Sequence, residues 1–193
     1  MSTESGTGVH AGLPPSAWVQ RWSHLVPAGA SVLDVACGSG RHVRWFAARG
    51  CRVAGVDRDA VALAGLAAIA ETCVADIEGA PWPLPGRRFD AVVVTNYLWR
   101  ALLPTLLESL ADHGVLIYET FSAGNASVGK PSNPLFLLQP AELLAAAAGL
   151  RVVAYEDGFL DDPARFVQRI VAVREATNRA ATANPAAPHR YPL

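Results

Sequence analysis

The chain has 193 residues, 51 % of them hydrophobic and 17 % charged, with a formal net charge of −1. That is the profile of one compact domain with a sizeable core, and it excludes a disordered chain. Sixteen basic against 17 acidic residues leave no excess for gripping a long stretch of nucleic acid. No apolar window is free of charges, glycines or prolines over a membrane span.

The three cysteines, Cys37, Cys51 and Cys73, lack metal-type spacing and cannot all pair, which suits a reducing cytoplasm. Arginine supplies nearly all the positive charge, Lys130 being the one lysine. Arg41, Arg44, Arg49, Arg52 and Arg58 crowd the first half. A solvated helix face is the simpler reading of that crowding, an anion-attracting patch the other.

Residues 1–13 are polar, without the apolar core of a signal peptide, and are expected to be disordered. A single domain is expected over 14–176 and a loose, proline-containing tail over 177–193. Pro14 and Pro15 suit a helix start, with Trp18, Trp22 and Leu25 as its apolar stripe. Ser31 to Val35 reads as a first strand. A glycine turn and a helix from about Arg41 to Arg49 follow it, with Gly50 placed to stop that helix.

CRVAGVD (51–57) is a second strand ending in an aspartate, and Asp59 can cap the helix AVALAGLAAI behind it. ETCVADI (71–77) is a third strand, EGAPWPLPGRR a loop and FDAVVVTN (89–96) a fourth, β-branched strand. Pro104 opens a helix running to about Asp112, and GVLIYETF (114–121) is a fifth strand. Residues 122–138 have no periodicity, the mark of a lid or binding loop. The helix QPAELLAAAAGL and two strands, RVVAYEDGF and ARFVQRIVAVRE, complete an α/β alternation expected of a parallel sheet covered on both faces.

The chemistry concentrates at VLDVACGSGRH (32–42). Gly38 and Gly40 let backbone approach a ligand, and the following helix points free N–H groups at the same spot. A P-loop would need Lys-Ser/Thr after its second glycine, where Arg41-His42 stands. The dinucleotide pattern would need glycine at 43, where Val43 stands, which argues against NAD or FAD. Asp34, mid-strand before the turn, is costly unless it meets a donor, and a cationic ligand would supply one. Asp57, Asp76 and Asn96 then end three further strands. Each has a bland alternative as a cap or turn former, but four polar ends in this order converge on one rim.

In this ordered set the chain resembles the class I S-adenosylmethionine-dependent methyltransferases. VLDVACGSG matches their first motif, GVD their acidic second-strand end, VADI their adenine-contacting segment and FDAVVVTNYL their fourth-strand motif. The likeness extends over roughly residues 15–175. It is nearest to small stand-alone members of the tellurite-resistance-like and thiopurine-like kind.

The resemblance implies a three-layer αβα Rossmann-like fold. Its seven-stranded, mostly parallel sheet would have order 3-2-1-4-5-7-6, with strand 7 antiparallel. The implied cofactor is S-adenosylmethionine, held by Asp34, Cys37, Gly38, Ser39, Gly40, Asp57, Arg58, Asp76, Ile77 and Asn96. Asp34 would lie near the ammonium, Asp57 would bind the ribose, and Asp76 and Ile77 would frame the adenine.

For the acceptor, Glu119 is the candidate base or orienting carboxylate, or else a carboxylate bonded to neighbouring backbone, and Tyr97 is a second catalytic candidate or a cofactor-packing ring. Arg100 is a candidate contact for an anionic acceptor or the partner of a neighbouring acid, and Trp18 a candidate substrate contact or a core or lid residue. His42 reads as structural or cofactor-adjacent, and Cys37 matters for its backbone. The expected reaction is in-line methyl transfer to a small molecule in a cytoplasmic monomer or homodimer, with no metal, nucleic acid or membrane partner. An RNA methyltransferase working with a partner subunit and a non-catalytic cofactor-binding module remain as alternatives. A nicotinamide oxidoreductase is disfavoured by Val43 and by the missing Tyr-x-x-x-Lys pair.

Overall fold

The computed structural model describes residues 12–176 and 190–193. The expected disorder of 1–13 and looseness of 177–193 thus fall largely outside the described residues. Tyr191 and Pro192 belong to them, and the Pro192 carbonyl lies 3.1 Å from His24 Nε2.

Seven strands form one sheet: β1 (Ser31–Val35), β2 (Arg52–Asp57), β3 (Glu71–Val74), β4 (Phe89–Thr95), β5 (Leu110–Phe121), β6 (Arg151–Asp161) and β7 (Ala164–Val173). Their order is β3-β2-β1-β4-β5-β7-β6. The first five run parallel, and β7 is antiparallel to both β5 and β6. The β-branched runs of β1 and β4 are buried on both faces, as central parallel strands must be.

Alternate residues feed two cores. Leu33, Val35, Val92, Val94 and Tyr118 face one side, with Leu106 of α4 (Leu103–Glu108) and Leu143 of α5 (Glu142–Ala146). Val32, Val93, Ile117 and Val171 face the other side, against α1 (Ala17–Trp22), α2 (Arg41–Ala48) and α3 (Ala60–Ala64). The result is the αβα layering and strand order implied by the resemblance.

Several elements are shorter than their sequence patterns predict. The helix expected to reach about Asp112 ends at Glu108, and β5 begins at Leu110. The physical reason lies at Gly114, where a Cβ would come within 2.8 Å of the Ala111 carbonyl and 2.9 Å of the Phe89 carbonyl. Only glycine fits that close approach, and the register between β4 and β5 shifts there.

The third helix stops at Gly65 rather than continuing to Ile69, although Asp59 caps its start as expected, accepting from the Val61 and Ala62 amides. The third strand ends at Val74, so Asp76 stands two residues beyond it. The first helix starts at Ala17, with Ser16 as its cap.

Val43, the residue that broke the dinucleotide pattern, is fully buried. Its Cγ2 would lie 3.3 Å from a Cβ on Gly55. The glycine that lets helix and strand approach therefore sits on β2 instead of on the helix.

Candidate cofactor site

Because β1 to β5 are parallel, their carboxyl ends share one rim, and the turns leaving them build a trough. Two cavities meet there, both lined by Ala36, which holds a left-handed φ of 53° just after β1. The larger, about 280 Å³, is lined by Asp57, Arg58, Asp76, Ile77, Tyr97 and Phe136, among others. The smaller, about 130 Å³, is lined by Cys37, Gly38, Ser39, Arg41, His42, Thr95 and Asn96 with Ala36.

In the larger cavity the acids are pinned by backbone. Asp57 Oδ2 accepts from the Gly38 amide at 2.7 Å and Oδ1 from the Asp59 amide at 2.9 Å. Each oxygen keeps a lone-pair direction for a ligand hydroxyl. Asp76 Oδ1 accepts from the Glu78 and Gly79 amides, an Asx-type turn that fixes its carboxylate. Tyr97 presents a buried hydroxyl without a hydrogen-bond partner. Burial, and secondarily Glu78, push its pKa up, with Arg58 opposing.

The smaller cavity is backed by drier chemistry. Asp34 is 1 % exposed, and its Oδ2 has no hydrogen-bond partner among the described residues. Burial raises its pKa to about 8, with Asp57 adding to the rise and Arg41 and the Val43 amide opposing it.

His42 stands beside it. The Ser16 amide can only donate, and it donates to His42 Nε2 at 3.1 Å, so Nδ1 carries the ring proton. That nitrogen is 3.4 Å from Thr95 Oγ1 and 4.0 Å from Asp34 Oδ2. Burial, then Arg41, lower the His42 pKa to about 3, so the imidazole is neutral. The Cys37 thiol is held protonated, chiefly by burial. Asn96, with a left-handed φ of 54°, donates its amide to the Glu119 carbonyl at 2.9 Å and turns the chain back over the cavity.

The two motif glycines have different work. Around Gly38 the space where a Cβ would lie is open, on the cavity side of the turn. Gly40 holds a left-handed φ of 78°, and a Cβ there would also run into Leu66 Cδ1, so the turn and its packing against α3's trailing turn both call for glycine.

Four acceptor-side expectations need correction. Trp18 is 2 % exposed, in the core beneath α1, and its indole N–H points to the Ile170 carbonyl at 3.4 Å. It offers no surface to a substrate. Arg100 is fully engaged elsewhere: Nε and Nη2 bond Glu142 at 2.6 and 3.0 Å, and Nη1 and Nη2 bond the Leu135 and Leu137 carbonyls. It clamps the 122–138 segment instead of binding an acceptor.

Glu119 is 1 % exposed, accepting from Ser16 Oγ at 2.9 Å and Arg169 Nη1 at 3.3 Å. Its carboxylate is committed to these partners inside the protein. Tyr97, the second catalytic candidate, belongs to the larger cavity, among Asp57 and Asp76. The residues missed from sequence are Ala36, Glu78, Thr95 and Phe136. Thr95, beside Asn96 at the strand end, carried a signal, as did Phe136, which lies in the 122–138 segment read as a lid or binding loop.

The sheet order and this acid-rimmed trough define the class I methyltransferase fold, whose cofactor is S-adenosylmethionine. Residues 32–114 match the family described as a methyltransferase domain.

The fold is similar to TehB from Haemophilus influenzae at 19 % identity and a TM-score of 0.67, covering 82 % of this chain and 61 % of that one. It is similar as well to the N-methyltransferase NodS from Bradyrhizobium japonicum, at 15 % identity and a TM-score of 0.64, covering 82 % of this chain and 93 % of that one. A third similar structure is the cyclase SpnF, at 16 % identity and a TM-score of 0.62, covering 82 % and 78 %. No curated protein matches the sequence. The chain thus spans less than two thirds of TehB, and identities this low speak for the fold alone; the cyclase shows that this fold hosts more than one chemistry.

Among the described residues, no helix is long and apolar enough to cross a membrane.

Proposed function

We propose that this chain is an S-adenosylmethionine-dependent methyltransferase acting on a small molecule. The observation that carries the reading is the two-part trough, with wetted, backbone-pinned carboxylates at one end and a dry, unpartnered carboxylate behind the other. A ribose and an adenine amino group suit Asp57 and Asp76, which retain acceptor capacity. An ammonium suits Asp34, whose Oδ2 lacks a donor. Gly38, open on its cavity side, leaves room for the chain between them. Phe136 and Tyr97 would close on the base.

When bound, the cofactor supplies a methyl group on a positively charged sulfur. The protein's part is alignment and dryness. Holding two reactants in line supplies on the order of 7–11 kcal/mol in favourable intramolecular cases. Glu119 is ion-paired, and His42 uses its lone pair on Ser16. At the methyl-donor end, the described residues outside the proposed cofactor contacts thus offer no base without a partner, which favours an acceptor already unprotonated at neutral pH, such as a thiolate or an amine of lowered pKa. A base would add about 10²–10⁴-fold, and this site forgoes it.

Calorimetry with S-adenosylmethionine, S-adenosylhomocysteine and NAD tests the reading. The two adenosyl ligands are expected to bind and NAD not. Asp57→Ala is expected to cost about 10²-fold in affinity, the scale of two hydrogen bonds to a charged group. Absence of adenosyl binding, or unchanged affinity in Asp57→Ala, contradicts it. A labelled-methyl screen over metabolite and RNA pools then separates a small-molecule from an RNA acceptor.

A further inference from the structure

Arg41 is hard to explain as a structural residue. It is the first residue of α2, the end of a helix where positive charge is disfavoured. Its side chain is partly buried, and among the described residues no hydrogen bond or ion pair meets its guanidinium. Burial and the Arg165 charge both work against its cationic form, while Glu119 and Asp34 favour it from a distance. A cation left in this condition is held for a ligand or costs stability for nothing.

The space around it is a third cavity. Between the segment leading into α1 and the face of α2 lies a hollow of about 420 Å³, which shares Ser39 and Arg41 with the cavity at the Asp34 end of the trough. That volume lies within the range of small-ligand sites. Among the described residues its lining includes Arg41 and Arg44 and no acidic residue. Leu13, Pro15 and Trp45 give it apolar walls, and the Trp45 indole N–H is buried without an acceptor. Arg44 is committed by one hydrogen bond, to the Gly65 carbonyl at 3.3 Å, which leaves most of its donors free.

We propose that this hollow is the acceptor subsite, and that it takes a small organic carboxylate with an apolar or aromatic body, the carboxylate bound by Arg41. The inference rests on the methyltransferase reading, because it names that site's substrate class. A guanidinium fork matches a planar carboxylate in two parallel hydrogen bonds. The apolar walls take the body of the molecule, and the shared Ser39–Arg41 wall places it against the methyl-donor end of the trough. The crowded arginines of the first half of the sequence thus include one that is not a solvated face.

The rival source of the same chemistry is the carboxylate of the cofactor itself, and the test separates the two. Full-length protein is titrated with benzoate and with neutral benzamide, both alone and after saturation with S-adenosylhomocysteine. Benzoate is expected to bind about tenfold more tightly than benzamide, the scale of one charge-assisted contact. Arg41→Gln is expected to abolish that preference.

Arg44→Gln, on the exposed side of the hollow, is expected to weaken benzoate about threefold through charge alone. It keeps the proposal testable should Arg41→Gln unfold. Equal binding of benzoate and benzamide overturns the proposal. So does loss of benzoate binding once S-adenosylhomocysteine saturates the wild-type protein, which would put the cofactor's own carboxylate on Arg41. If S-adenosylhomocysteine fails to bind wild-type protein, the methyltransferase reading fails instead, and benzoate selectivity in the free protein still decides whether the hollow binds carboxylates.

Discussion

The two ends of the trough handle negative charge in opposite ways. At the β2–β3 end, Asp57 and Asp76 sit at the surface of a cavity, their carboxylates stabilised by two backbone amides each. At the β1–β5 end, Asp34 and Glu119 are each 1 % exposed. Glu119 is neutralised by Arg169 and Ser16, while Asp34 is left with an empty oxygen and a pKa near 8. Asp34, with its pKa raised by burial, gives up a proton to meet a cation, so binding at that end is linked to a proton.

The largest effect that sharpens this contrast is on cofactor affinity against pH. Asp34 must lose its proton to meet an ammonium, so affinity is expected to rise with pH up to about 8 and then level, by up to about tenfold per pH unit below that point. Asp34→Asn is expected to flatten the profile, and Asp57→Ala to lower it and move its midpoint to lower pH while keeping its slope, since the Asp57 charge helps to raise the Asp34 pKa. Titrations at several pH values read both. A profile in Asp57→Ala that loses its slope would break the distinction between the ends.

Next in size is the clamp over the trough. Arg100→Ala removes the bonds to Glu142 and to the Leu135 and Leu137 carbonyls. It is expected to cost about 2 kcal/mol of stability by denaturant unfolding, since Arg100 and Glu142 are partly exposed and screened. Cofactor affinity should fall with it, because Phe136 rides on that segment. The effect on affinity should exceed that of Trp18→Phe, which alters the core behind the other face.

The smallest effect is on the stability of the ligand-free protein against pH. Asp34 has a raised folded pKa, so its contribution is full below about 4 and is lost as pH rises toward about 8. His42 has a lowered folded pKa, so its contribution is full above about 6.5 and is lost as pH falls toward about 3. The slopes oppose one another between those limits, and only that of Asp34 remains above pH 6.5. Asp34→Asn is therefore expected to gain stability over wild type as pH rises from 6.5 to 8, by at most about 1.4 kcal/mol per unit. Thermal unfolding of the pair reads it.

What was legible in the sequence follows the same division. The acids of β1 and β2 and the fourth-strand Asn96 announced themselves because each interrupts or ends a β-branched run, a local pattern. The strand order came with the ordered motifs. On the acceptor side Arg100 and Trp18 take the plainer of their two readings, an acid pair and core packing, and Glu119 is held by side chains rather than by backbone. Arg100 finds Glu142, Trp18 finds Ile170 and Glu119 finds Ser16, partners distant in the chain that no spacing rule foretells. At Gly40 the neighbour Leu66 comes from the far end of a helix–turn, so a packing glycine and a ligand glycine look alike in sequence.

The central claim is that one adenosyl ligand spans both ends, and a crystal structure of the S-adenosylhomocysteine complex tests it most directly. The account predicts ribose hydroxyls on the Asp57 carboxylate, the base between Ile77 and Tyr97 beside Asp76, and the amine nitrogen within hydrogen-bond distance of Asp34 Oδ2. A complex in which the ribose avoids Asp57, or the amine points to solvent with Asp34 still unpartnered, would contradict it.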